Sequence, residues 1–322
     1  MTEVTKSEPT GKVEKLEAEQ LSTEKPTTLW GTARRRLIKR KSALIGMGIL
    51  GALAVIAIFA PWLAPYPPGE VLIGVENVKA RQAPCIHLLG CPADQPQHIM
   101  GIDGNVRDEF SRVLYGARLS LVIGFTTVTF AIIIGTVLGA LAGYLGGWVD
   151  NVIMRFMDVL LAFPSLLLAI AIVTILGPGL INALLAIGIV SIPAYARVVR
   201  SAVLSTRDKD FVQASRSMGG STFHILFGHV LPNSMTPLIV QGTLGIATAI
   251  LDAAGLSFLG LGAQPPTAEW GSMLSAERNQ VFTAPYLVFY PGLAIILVVL
   301  SFNLLGDGLR DALDPSLAMK SK

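Results

Sequence analysis

Four residues between positions 85 and 98 have the types and spacing of a metal site. Cys85, His87, Cys91 and His98 read C-x-H-x3-C-x6-H, and thiolate sulfur with imidazole nitrogen is a ligand set that zinc accepts. The same two cysteines can instead close a short loop as a disulfide, or stay as thiols. Asp252 is a second candidate, because it falls inside a long apolar stretch. An ionisable group at membrane depth is costly and by default functional, lining a path. The competing reading places it near an interface, hydrated or paired. No series of Asp, Glu and His accompanies it, as a proton relay would need. Asp307, Arg310, Asp311 and Asp314 fall at i, i+3, i+4 and i+7. They share a helix face, where ion pairs within a solvated helix end are expected; a docking contact is the alternative. No G-x-x-x-x-G-K-[ST] run occurs, so the chain has no loop of that kind for nucleotide phosphates. H-E-x-x-H and G-x-S-x-G are missing too. No catalytic residue is assigned, and the chain is not expected to be an enzyme.

These groups sit in a mostly apolar chain. Of 322 residues, 52% are hydrophobic and 15% charged, where a soluble domain carries roughly 25% charge. Charge that sparse cannot cover a globule of this size. The composition also excludes a disordered chain, a coiled coil and a collagen. The net charge of +3 is too mild to indicate nucleic-acid binding, and 7% aromatics offer no stacking platform for bases. Two cysteines exclude a disulfide scaffold. The apolar residues form six blocks, at about 43–64, 119–143, 157–177, 179–199, 235–259 and 286–306. The first block makes about 33 Å of helix, enough to cross the hydrocarbon core. An all-α integral membrane protein with six transmembrane helices is predicted.

Charge places the ends. Residues 1–30 are polar and alternate in sign, which reads as a disordered tail. A basic cluster comes next, at Arg34, Arg35, Arg36, Lys39, Arg40 and Lys41. It has the look of a twin-arginine signal, but the leader would be over-long and five more apolar blocks come after it. It reads better as a cytoplasmic anchor. The loop after the fourth block carries Arg197, Arg200, Arg207, Lys209 and Arg216, and the C-terminus carries Arg310, Lys320 and Lys322. The positive-inside rule therefore puts both termini and the 200–233 loop in the cytoplasm, and 66–116 outside. Outside, a Cys85–Cys91 disulfide is the expected state and no metal is assigned.

Two further features depend on this frame. Gly135, Gly139 and Gly143 repeat G-x-x-x-G in the second block, so another helix can approach closely there. Packing within the chain is favoured over packing on a partner subunit. In the 200–233 loop, 211–218 reads as a short helix, capped by Asp208 or Asp210 and ended by Gly219. A second short helix is expected from His224 to Leu231, closed by Pro232. A polar pair of helices between two spans has no lipid to bury, so it should dock on something soluble.

That loop resembles the cytoplasmic signature of ABC-importer permeases, E-A-A-x3-G-x9-I-x-L-P. Gln213-Ala214-Ser215 fall on the triplet, Gly219 on the glycine, His229 on the isoleucine, and Leu231-Pro232 on the closing pair. The block His98 to Arg118 resembles H-x-x-G-T-D-x-x-G-R-D-x-x-S-R-x-x-Y-G-A-R, with Ile102 for Thr and Val106 for Gly. Leu256 to Gly271 and Phe302 to Pro315 match two further stretches. Many relatives carry a Glu where Ala253 stands; here the acid is Asp252, about 100° around the helix. The chain resembles the dipeptide/oligopeptide (peptide/nickel) family, C-type subunit, over about residues 30–316.

The resemblance implies the type I importer fold in a bacterial inner membrane. It divides the chain into a tail with a basic anchor (1–41), a first span with an external segment (42–116), a permease core (117–316) and a short tail (317–322). It implies a homologous permease as heterodimer partner, two ABC ATPases that bind ATP and Mg, and an extracytoplasmic substrate-binding protein. No cofactor is expected on this chain and no nucleic acid as partner; membrane lipid surrounds it. Peptides are the implied cargo, with nickel chelates or glutathione as alternatives. A stand-alone channel or carrier is the rival in another class, and it would need coupling charges beyond Asp252.

Overall fold

The computed structural model describes residues 29–313. Residues 1–28 of the expected 1–30 tail, and the expected tail at 317–322, lie outside the described residues; Leu29 already belongs to a helix. Ten helices carry the frame: α1 (Leu29–Lys39), α2 (Lys41–Leu63), α3 (Glu109–Leu145), α4 (Gly147–Leu161), α5 (Ser165–Leu176), α6 (Leu180–Thr206), α7 (Asp210–Ser217), α8 (Met235–Phe258), α9 (Trp270–Glu277) and α10 (Tyr286–Leu313). Five of them, α2, α3, α6, α8 and α10, are long and apolar enough to cross a membrane.

The core is built where these five meet. α3 packs most extensively on α6, α8 lies against α3, α6 and α10, and α2 covers α10 and α3. Small residues at the seams, such as Ala131, Ala140, Ala183, Ala196 and Ala247, let the helices approach closely. Much of the outer surface stays apolar: Ile58, Ile133, Ile175, Ile181 and Ile296 are all more than half exposed. Water would not tolerate such a surface on a monomer of this size; lipid does.

The third expected span, 157–177, is not one helix. α4 and α5 meet at a break with a bend of 91°. Pro164 stands at the break, before Ser165. Its ring lacks a donor and restricts Phe163, so a straight helix cannot pass. α5 alone has 12 residues, about 18 Å, short of the roughly 30 Å core. The bundle therefore holds five long helices and one bent pair.

α3 also departs from its apolar block. It begins ten residues earlier, at Glu109, and has 37 residues. Asp108 caps it, accepting from the Ser111 backbone N–H at 2.7 Å. Its first ten residues, nearly three turns, therefore stand beyond the apolar stretch and hold the 64–108 segment. At the other end of the bundle, Asp311 pairs with Arg40 at 3.1 Å rather than within its own helix.

Candidate functional site

The 200–233 loop begins as α6 runs on to Thr206, further than the apolar pattern requires. α7 then starts without a side-chain cap. Lys209 occupies the cap position, not Asp208 or Asp210. Asp210 lies in the first turn instead, where its charge favours the helix dipole. Gln213 Nε2 donates to the Asp208 carbonyl at 3.1 Å, closing the turn from within. Gly219 leaves the helix at φ +85°.

The second short helix is longer and less regular than expected. Thr222–Ile225 is α-helical, Leu226–Val230 is a π turn, and Leu231–Asn233 continues the path. Pro232 does not close it. It sits in the first turn of the last segment, where no donor is needed. The wide π turn before it removes the clash that Pro232 would make with a preceding carbonyl. Ser234 Oγ then donates to the Val230 carbonyl at 2.8 Å.

The loop has two distinct faces. Val212, Ser215, Ile225, Leu226 and Val230 are buried, and the four apolar ones belong to the main core. Phe211, Met218, Phe223 and Phe227 point away and are exposed. The rings of Phe223 and Phe227 stack nearly parallel. Gln213, Ala214 and Pro232 are exposed beside them, while His229 and Leu231 are half-buried. A motif-centred reading misses the four exposed apolar residues. Their signal is an apolar residue wherever the loop pattern calls for a polar one.

The opposite end of the bundle is locked by charge. His98 is buried, with Nδ1 2.8 Å from Asp108 and Nε2 3.1 Å from Glu76. Burial alone would lower its pKa, but the hydrogen bonds and charge of the two carboxylates outweigh burial and hold it above the ordinary value. Arg107 Nε donates to Asp103 at 2.8 Å. Arg81 Nε donates to Glu277 at 2.9 Å, joining the 64–108 segment to α9. Val106, where the resemblance has Gly, takes φ +58° and packs with Leu72 and Ile102. His98 thus serves the lock, both ring nitrogens facing carboxylates. Cys85 and Cys91 form a disulfide, with Cα atoms 5.4 Å apart.

Gly135, Gly139 and Gly143 all face α6. A Cβ at Gly135 would meet Tyr195 at 2.7 Å, and one at Gly143 the Arg200 carbonyl at 2.9 Å. At Gly139 it would run into the Ala196 carbonyl. Asp252 is half-buried near the end of α8. On that helix face lie Thr248 and Gly255, and Gly255 lies opposite Leu166 of α5. No hydrogen bond or ion pair reaches Asp252 from another described residue. The structure does not bring it near the 200–233 loop.

A model of the binding-protein-dependent transport system inner membrane component matches residues 135–319. The chain belongs to that family. The N-terminal transmembrane domain of oligopeptide transport permease C matches residues 28–84. A dipeptide transport system permease protein of Alkalihalophilus pseudofirmus is 51% identical over 89% of this chain and 90% of its own length. A di/tripeptide transport system permease protein of Pseudomonas aeruginosa is 50% identical over 86% of this chain and 89% of its own. A glutathione transport system permease protein of Escherichia coli is 47% identical over 90% and 91%. Among solved structures, a chain of the inward-facing MetNI methionine ABC transporter aligns with a TM-score of 0.52. It is 22% identical and covers 63% of this chain and 97% of that one. At that identity it supports the fold alone.

Proposed function

We propose that the chain is the C-type permease subunit of an ATP-driven importer of di- and oligopeptides. The observation that carries this reading is the two-faced loop at 200–233. Its inner face is part of the membrane core, so a push on the loop moves the spans. Its outer face offers Phe211, Met218, Phe223 and Phe227 to a soluble partner. The chain offers no nucleotide loop of its own. Two partner ATPases, holding ATP and Mg, supply the push.

In this reading α4 and α5 together count as one span, giving six, with both termini and the loop in the cytoplasm. The 64–108 segment then faces outward, where a binding protein delivers cargo. A homologous permease completes the path, and Asp252 lines it. Residues 1–41 anchor the chain, 42–116 form the first span with its external segment, 117–316 form the core, and 317–322 are a tail. The similarity to glutathione permeases favours a second cargo class, glutathione-like peptides, within the same mechanism.

The test is reconstitution of the chain with a homologous permease, ABC ATPases and a substrate-binding protein from the same organism. ATP-dependent uptake of radiolabelled Ala-Ala is expected, with competition from tripeptides. Uptake blocked by glutathione but not by dipeptides would move the cargo to the second class. Transport without any ATPase would overturn the coupling reading.

A further inference from the structure

A cavity of about 410 Å³ lies where α3 leaves the lock. Tyr115, Arg118, Leu119 and Val122 of α3 form one side, and Pro68 and Pro266 form the rim. The rim is built rather than accidental. The buried Arg112 donates from Nη1 to the Pro68 carbonyl at 2.8 Å and to the Pro266 carbonyl at 3.2 Å. One side chain thus ties the segment after α2 to the segment before α9. Trp270 Nε1 donates to the Val113 carbonyl at 3.1 Å and holds α9 on α3 beside it.

Inside this frame, Arg118 is exposed and has no ion-pair partner among the described residues. Tyr115, one turn away, is half-buried, and its hydroxyl has no partner among them either. The remaining walls are nearly all apolar. A cation and a hydroxyl set in an apolar cavity call for an anion attached to something apolar.

Depth identifies the source. α2 ends at Leu63, and the exposed Trp62 stands at that end. Tryptophan gathers at the headgroup level of membranes, and Pro68 comes only a few residues later. The apolar stretch of α3 starts just after Arg118. Both walls therefore put the cavity at the membrane boundary. One and two turns further into the membrane, Val122 (54% exposed) and Phe125 (52% exposed) continue the Arg118 face. A soluble anion has no use for that track. An acyl chain does.

We propose that this cavity binds an anionic phospholipid, its phosphate at Arg118 and Tyr115 and its acyl chain along Val122 and Phe125. The lipid would fill the gap beside the lock, on the side that the importer reading calls external. The cavity and its depth call for this lipid whatever the cargo, and in whichever leaflet the lock lies.

The test is native mass spectrometry of the purified full chain with its co-purifying subunits, titrated with phosphatidylglycerol and, separately, phosphatidylethanolamine. One phosphatidylglycerol should be held in preference to phosphatidylethanolamine. Arg118→Gln should weaken it about tenfold, as expected for a lost charged hydrogen bond, and Arg118→Lys should weaken it less. Equal retention by wild type and Arg118→Gln would overturn the proposal. Displacement of the lipid by inorganic phosphate would make this a soluble-anion site, and displacement by tri-alanine a cargo site; either also overturns it. If Arg118→Gln does not assemble, Val122→Trp fills the apolar wall with Arg118 intact. Unchanged phosphatidylglycerol binding in that variant counts against the site.

Discussion

Gly219 takes φ +85° with open space around the position a Cβ would occupy. Crowding therefore does not exclude a side chain there; backbone energy does. A β-branched residue in that conformation costs about 1–2 kcal/mol. Gly219→Val should relieve this by shifting α7, and with it Phe211 and Met218. Membrane levels should stay normal, because no span depends on this turn. Uptake should fall by roughly tenfold or more, equivalent to about 1.4 kcal/mol of lost coupling. Co-purification of the ATPases and uptake in vesicles measure it; normal values for both would remove the loop from the mechanism. Gln213→Ala should be milder, since one exposed hydrogen bond to Asp208 is lost.

His98 gives a pH dependence at the same scale. Its folded pKa lies above the unfolded value, so the protonated ring stabilises the lock. That contribution is complete below about pH 6.5, the unfolded value, and is lost as pH rises through the folded pKa. The apparent melting temperature of the detergent-purified chain should fall as pH rises above this range. His98→Gln should flatten that slope; an unchanged slope would assign it to another group.

At the scale of elements, the α3–α6 seam is set by three missing side chains. Gly139→Leu would force a side chain into the Ala196 backbone carbonyl, which cannot rotate away. Overpacking of this kind costs about 1–3 kcal/mol, occasionally more. Gly51, in α2, has nothing near its Cβ position. Gly51→Ala should therefore be neutral or slightly stabilising. Comparing both variants in a detergent-unfolding series separates seam packing from a general intolerance of glycine replacement. Similar losses in the two would mean that the seam is not special.

For the whole molecule, orientation in the membrane is the property to measure. The charge pattern puts the 200–233 loop and the lock on opposite sides of the membrane. Ser215 is buried, so the reporter is placed at the exposed Gln213. Gln213→Cys, in a chain lacking Cys85 and Cys91, should resist a membrane-impermeant thiol reagent in intact cells and react after lysis. Labelling of position 213 in intact cells would invert the topology and with it the coupling reading.

Local pattern alone is enough for part of this molecule. Apolar blocks longer than a bilayer require a helical membrane protein, since only internally bonded backbone survives in lipid. Motif spacing locates the 200–233 loop, and Gly219 marks the exit from α7, but the start of α7 is not legible, since Lys209 and not an acid holds the cap position. The doubled G-x-x-x-G marks a close seam. What each of these meets is a matter of packing between segments distant in the chain. An apolar run says nothing of direction, so the 91° bend after α4 stays hidden behind the hydropathy of 157–177. The partner of Asp311 is Arg40, far away in sequence, and no helix-face count can supply it. Spacing makes His98 a metal ligand or a motif residue; the fold makes it a lock, by setting Asp108 and Glu76 on either side of it. Pro232 reads as a stop because a proline's missing donor is a local fact. That a π turn makes room for it is a property of the packed loop, held in place by the core beneath.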